Sequence, residues 1–340
     1  MTRRQSLPST PITVIDGGMG KELARMGAPF RQPEWSAAAL IDDPGAVRQA
    51  HSNFVAAGAQ LIIANTYAVV PFHIGEERFA ARAGELADLA GRLAREVAEA
   101  AAHPVRVAAS APPVFGSYAP ERFDPELAGP MWDVLIEAQI PWADLWIVET
   151  IASLAEAEGA VAALDRARVE GERWLAFSLA DEPADHDPSI PPTLWSGEPV
   201  QAAARAAVDA GADAVLINCA QPEAITRALA EVGAAIDLER PGAPAIGAYA
   251  NGFPPKPEVY SPNSVILGRR DDLTPEGYAD HADRWVELGA TIVGGCCGIH
   301  PEQIAELARR YSADGADPSS TDGSTGAEPI RPGAGSGAEG

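Results

Sequence analysis

Short apolar runs rich in β-branched and aromatic residues recur along this chain. Longer alanine-rich stretches separate them, with an apolar residue every three or four positions. The first pattern reads as buried strands and the second as amphipathic helices. Strands are predicted at 12–15, 61–64, 105–109, 145–148, 174–178, 214–217, 245–249 and 291–293. Helical periodicity is clear at 85–101, 154–168, 201–210 and 277–288. Ala57-Gly58-Ala59, Ala210-Gly211-Ala212 and Leu288-Gly289-Ala290 each place a glycine where a helix would end before the next strand. Eight strand–helix units predict an α/β fold, a single (β/α)8 TIM barrel over 11–311. The nearly continuous apolar character of the strands fits parallel strands covered on both faces. An open doubly wound sheet is the competing architecture. Asp16-Gly17-Gly18-Met19-Gly20 lacks the G-x-G-x-x-G spacing of a dinucleotide fold, and no P-loop is present.

Residues 1–10 and the Gly/Ser/Asp/Ala/Pro-rich 312–340 are predicted to be disordered. The stretch 251–274, with prolines at 254, 255, 257 and 262 and another at its border, 275, reads as a binding loop or lid. Hydrophobic residues make up 46% of the chain, enough for a sizeable core. The 48 acidic and 25 basic residues leave a net charge of −23, which argues against nucleic acid and anionic membranes as partners. Lys21 and Lys256 are the only lysines. No apolar run follows the basic N-terminus, and none reaches the ~18 residues of a membrane span. With an odd cysteine count, this points to a reducing cytoplasm; the assembly expected is a monomer or small homo-oligomer.

The thiols are Cys219, Cys296 and Cys297. Cys219 closes the run Ala214-Val215-Leu216-Ile217-Asn218, and the other two sit in Gly294-Gly295-Cys296-Cys297-Gly298 after an apolar run. Three thiolates leaving one position open suit a catalytic zinc. Small core cysteines, or a vicinal disulfide, are the alternatives on spacing, since no C-x-x-C is present. Other predicted strand ends carry Asp16-Gly17-Gly18, Asn65-Thr66-Tyr67, Glu149-Thr150 and Tyr249-Ala250-Asn251. Polar and metal-binding residues from six strands therefore gather on the rim where barrels carry their sites. Glu149 ends a buried strand and needs a cationic or hydrogen-bonding partner, which a substrate ammonium would supply. Asp16 also fits a turn former, and Asn218, Tyr249 and Asn251 equally fit satisfied structural groups. The histidines show no H-x-x-H spacing, and His300 reads as the entry to the last helix.

Taken together, these motifs resemble the homocysteine S-methyltransferases, zinc-dependent barrels with homocysteine as methyl acceptor. The paired Asn-Cys and Gly-Gly-Cys-Cys-Gly are the most specific part, and the likeness covers about 11–311. It implies that Cys219, Cys296 and Cys297 bind Zn2+ with the homocysteine sulfur at the fourth position. It further implies that Glu149 holds the ammonium, that Asp16, Gly17 and Gly18 position the acceptor, and that Thr66, Asn218, Tyr249 and Asn251 complete the substrate site. Lys21 stands where many members have Thr, and Ala68 where they have Gln. The segment 110–118 and the Pro-rich loop after Asn251 also depart from the usual pattern. The donor expected is S-methylmethionine or S-adenosylmethionine, with glycine betaine second and folate disfavoured. Another thiol or selenol acceptor, or a non-catalytic zinc- or thiol-binding barrel, are the competing functions.

Overall fold

All eight apolar runs form strands in the computed structural model of the chain, and every pairing between them is parallel. They are β1 (Thr13–Val14), β2 (Leu61–Ile63), β3 (Arg106–Ala111), β4 (Leu145–Ile151), β5 (Glu172–Ser178), β6 (Ala214–Asn218), β7 (Ala245–Ala250) and β8 (Ile292–Gly295). The helices are α1 (Met19–Arg25), α2 (Ser36–Asp42), α3 (Pro44–Ala56), α4 (Pro71–Ile74), α5 (Glu76–Ala100) and α6 (Pro125–Gln139). After them come α7 (Leu154–Ala167), α8 (Val200–Asp209), α9 (Pro222–Ala235), α10 (Pro275–Glu287) and α11 (Pro301–Tyr311). The structure describes residues 11–180, 187, 189–238, 240–254 and 268–311. The expectations for 1–10, 312–340 and most of 251–274 fall outside them.

The sheet order β1-β8-β7-β6-β5-β4-β3-β2 closes on itself through a bridge between Ile15 and Leu61. This confirms the expected (β/α)8 barrel over the open sheet. The closing seam is thin, because β1 spans only two residues. Side chains complete its ladder: the Val14 amide donates to Gln60 Oε1 (3.0 Å) and the Ile63 amide to Asp16 Oδ2 (2.9 Å).

Alternation along the strands sorts the core into two layers. Ile15, Leu61, Leu145, Ile147, Trp174, Leu216 and Ile292 fill the barrel interior. Val148, Val215, Ile217 and Val293 face outward against the helices, whose fully buried Trp132 and Trp285 anchor that outer layer. Truncating either tryptophan to alanine would cost about 3–5 kcal/mol. Helix starts are capped as their sequences demand: Asp43 accepts from the Ala46 amide and Asp124 from the Glu126 and Leu127 amides. Ser153 caps α7 while Glu156 reaches back to the Ala152 amide (2.7 Å). The glycines predicted to end helices, Gly58, Gly211 and Gly289, all have positive φ. The helix expected at 85–101 starts instead at Glu76, because Gly75 (φ +81) breaks the chain there and two sparsely apolar turns follow it.

Candidate active site

The three thiols meet at one end of the barrel, with their sulfur atoms all within 4.8 Å of one another. Backbone bonds fix their carriers. The Cys219 amide donates to the Tyr249 carbonyl (3.1 Å), the Cys296 amide to Ala250 (2.8 Å) and the Gly295 amide to Asp16 (2.9 Å). The Gly252 amide donates to the Cys297 carbonyl (2.7 Å), so the ends of β6, β7, β8 and β1 are stitched together. Gly18, just after β1, permits the chain's close approach to the thiol loop. A Cβ there would lie 2.6 Å from the Cys296 carbonyl oxygen. Cys219 is buried, Cys296 half-buried and Cys297 exposed. Contact with Cys219 pushes the Cys296 and Cys297 thiols up.

These sulfurs open on a cavity of about 200 Å3. Its floor holds Asp16, Glu149 and Tyr249, all buried. A bulge between β4 and β5, at Val148 to Ile151, lies at Glu149 and Thr150; bulges of this kind re-aim side chains beside sites. The Glu149 carboxylate accepts from Ser110 Oγ (2.5 Å). Burial raises Glu149 to about 7 and lifts Asp16 well above the usual carboxylate range, with the Glu149 charge adding to the latter. The Tyr249 hydroxyl is buried without a hydrogen-bond partner among the described residues. The floor is therefore a polar concavity short of one cationic or hydrogen-bonding guest.

Aromatic side chains close the remaining walls, among them Phe30, Trp35, Tyr67, Tyr118 and Phe253. Tyr118 Oη lies 2.9 Å from Cys219 Sγ, and its ring packs on Trp195 at 5.2 Å between centroids. Tyr67 Oη lies 2.5 Å from Ser117 Oγ. Five non-glycine residues have positive φ among the described residues, and Trp35, Tyr118, Thr150 and Cys219 of these line the cavity. Such backbone costs about 1–3 kcal/mol per residue and concentrates at functional sites.

A family model described as homocysteine S-methyltransferase matches residues 13–311. The chain belongs to the homocysteine S-methyltransferase family. Homocysteine S-methyltransferase YbgG of Bacillus subtilis is 28% identical, over 89% of this chain and 95% of that one. A selenocysteine methyltransferase of Astragalus bisulcatus is 26% identical, over 88% and 92%. Among solved structures, the homocysteine methyltransferase MmuM from Escherichia coli in its metallated form is similar, with TM-score 0.67 and 26% identity. That match covers 89% of this chain and 97% of that one. The family likeness drawn from the motifs thus holds, and the chain is an enzyme of the methyltransferase class.

In this family member the donor set fits a metal ion. Tetrahedral Zn–S bonds of about 2.3 Å separate their sulfurs by about 3.8 Å, compatible with a cluster held within 4.8 Å. Thiols this crowded resist ionising together, and a divalent cation at their centre removes that resistance.

Of the other residues singled out from sequence, Asp16, Gly17, Gly18, Glu149 and Tyr249 line the cavity, whereas Thr66, Asn218 and Asn251 do not. Each of the latter holds the frame instead. Thr66 Oγ1 donates to Gln139 Oε1 (3.2 Å), and Asn251 Nδ2 donates to the Cys219 carbonyl (3.0 Å). Asn218 clamps Thr150 twice, accepting from its amide (3.1 Å) and donating to its hydroxyl (2.9 Å). Sequence reasoning missed Ser110 and Gln139 as supports of Glu149, and Tyr118 as a partner of Cys219. The last had a signal, since a tyrosine after Gly116-Ser117 at a strand end belongs to the same rim. No described helix is long and apolar enough to cross a membrane.

Proposed function

We propose that this enzyme moves a methyl group from a small onium donor to the thiol of L-homocysteine, giving methionine, with zinc held by Cys219, Cys296 and Cys297. The observation that carries the reading is the convergence of three sulfurs on a cavity whose lining also holds a pair of buried carboxylates. A zinc ion bound there would supply a lowered pKa for the acceptor thiol, so that its thiolate exists at neutral pH.

The chain's own residues do the rest. Glu149 accepts the acceptor's ammonium in charge-assisted hydrogen bonds, backed by Asp16, and thereby fixes which end of the amino acid faces the sulfurs. The Tyr249 hydroxyl meets the same end. Tyr118 Oη, 2.9 Å from Cys219 Sγ, would donate to that sulfur as a thiolate and hold it in one direction. The aromatic walls exclude water and offer ring faces to an onium methyl. The acceptor sulfur attacks the methyl carbon in line, the old bond to the onium atom breaks, and the donor leaves neutral with the bonding pair. S-methylmethionine or S-adenosylmethionine is the first choice of donor and glycine betaine the second.

Assaying methionine from homocysteine and each donor with zinc-loaded protein tests this directly. Formation of methionine with one donor supports it, and no methionine with any donor overturns it. The match to a selenocysteine methyltransferase makes a selenol the second acceptor to include.

A further inference from the structure

β2 ends at Ile63, opposite Ala108, while β3 runs on to Ala111. The chain leaves the ladder at that point. The Ala64 amide makes the last bond, to the Ala108 carbonyl (2.9 Å), and the Thr66 amide turns back onto Ala64 (2.7 Å). Alternate residues of a strand present both backbone groups to the same side, so Ser110 is the next to face β2, where no strand remains to meet it. Gln139, the last residue of α6, takes that place. Its Oε1 accepts from the Ser110 amide (3.1 Å) and its Nε2 donates to the Ser110 carbonyl (3.1 Å). A side-chain amide from an outer helix thus stands in for the peptide group that β2 does not supply. Its other bonds span the gap: Nε2 donates to the Leu135 carbonyl (2.9 Å), and Oε1 accepts from Thr66 Oγ1 (3.2 Å). The Gln139 side chain is fully buried.

Both residues that Gln139 grips lead into the cavity. Thr66 stands between Asn65 and Tyr67, which line it. Ser110 Oγ donates to Glu149 and is the one hydrogen-bond donor to that carboxylate among the described residues. The titratable groups around Glu149 are Asp16, Cys219, Tyr67 and Tyr249, none of which brings a positive charge. The direction of the carboxylate is therefore set by Ser110, and the place of Ser110 by Gln139.

We infer that Gln139, outside the barrel wall, is a positioning residue for the acceptor's ammonium: it fixes Ser110, through it the Glu149 carboxylate, and the turn at Thr66 beside them. This rests on Glu149 holding that ammonium in the proposed reaction.

The experiment compares wild type, Q139M, Q139E, S110A and the S110A/Q139M double variant. It follows KM for homocysteine and for the donor separately, with S-methylmethionine and glycine betaine as donors. Calorimetric Kd of homocysteine for the zinc-loaded protein adds a readout independent of turnover. Zinc content and melting temperature show which variants are folded. Q139M keeps the length of the side chain and loses its bonds. In Q139E a protonated carboxyl offers the same acceptor and donor as the amide, whereas a carboxylate has no donor for the Ser110 carbonyl.

The expected result for Q139M is a homocysteine KM and Kd raised about tenfold, with donor KM and zinc content changed less than about twofold. S110A does the same, and the double variant adds little, because the two residues act in one chain of contacts. Homocysteine affinity of Q139E relative to wild type is highest at low pH and falls as the new carboxyl ionises. Unchanged homocysteine affinity in folded Q139M, or a donor KM that rises in step with it, overturns the assignment. So do additive losses in the double variant, or a Q139E ratio that does not fall with pH; where Q139M does not fold, the Q139E series decides. Wild type that binds homocysteine but makes no methionine would overturn the methyl-transfer reading and leave the Kd series to judge Gln139. Wild type that binds no homocysteine overturns both.

Discussion

The thiol wall of the cavity is built from strand ends, while the aromatic wall beside it comes from loops that leave the barrel and return. Cys219, Cys296, Glu149 and Tyr249 sit where the register of β6, β8, β4 and β7 puts them, and ladder bonds or their continuations hold each in place. Trp35, Tyr67 and Tyr118 belong to connections after α1, β2 and β3, and two of them keep positive φ. A sheet positions its side chains by a repeat that adjacent strands share. A loop positions its side chains one contact at a time, as Ser117 does for Tyr67 and Trp195 for Tyr118. Under the proposed function, chemistry that tolerates no displacement would be carried by the first wall, and selection among partners by the second.

The largest effect that would test this division is Cys219→Ser. Metal analysis would show most of the zinc lost, beyond the ~10–100-fold weakening typical of outer contacts, and methyl transfer would fall with it. Full zinc content in that variant would remove the thiol wall's role.

Next is Glu149→Gln, for which homocysteine KM rises ~10–100-fold, with kcat less affected. Glu149 also sets a pH dependence. Burial raises it to about 7, and only its ionised form holds an ammonium well, so kcat/KM for homocysteine climbs as pH rises through about 7. The Gln variant loses that inflection; if it persists, another group causes it. Stability runs the other way. Glu149 and Glu156, raised from 4.5 to about 7, bind protons more tightly folded than unfolded. Their contribution favours the fold at low pH and is lost as pH rises from 4.5 to about 7, which melting of the ligand-free protein would register.

Tyr118→Phe probes the junction of the two walls. Removing its contact to Cys219 weakens zinc binding about tenfold in chelator competition, at the low end for an outer contact. An unchanged affinity would make Tyr118 a packing residue only. Asn218→Ala would touch the metal site least: it breaks both clamps on Thr150 and costs about 1–3 kcal/mol of stability, read by denaturant unfolding, with zinc content unchanged.

The same division explains what was legible in the sequence. The eight strands and their order of polar ends could be read because buried parallel strands are continuous apolar runs, and a polar residue closing such a run has little choice of direction. The three cysteines, Asp16, Glu149 and Tyr249 were found in that way. Thr66, Asn218 and Asn251 were found too, but their short side chains find partners in adjacent strand ends or, for Thr66, also at the end of α6, and hold the frame rather than face the cavity. Gln139 was invisible, since it sits at the end of an outer helix and reaches Ser110 across 29 positions. Tyr118 was legible only as a residue near that rim, because no periodicity specifies the direction of a tyrosine at φ +62.

The seam between β1 and β2 has one more consequence. Asp16 is at once a group on the cavity floor and the side chain that receives the Ile63 amide across the barrel's thinnest joint. The barrel is a belt whose buckle lies inside its own purse. A guest that draws on Asp16 pulls on the same oxygen-bearing group that keeps the belt fastened. Slow exchange of the Ile63 amide should therefore track occupancy of the cavity, and the rigidity of the whole ring would be set in part by what it carries.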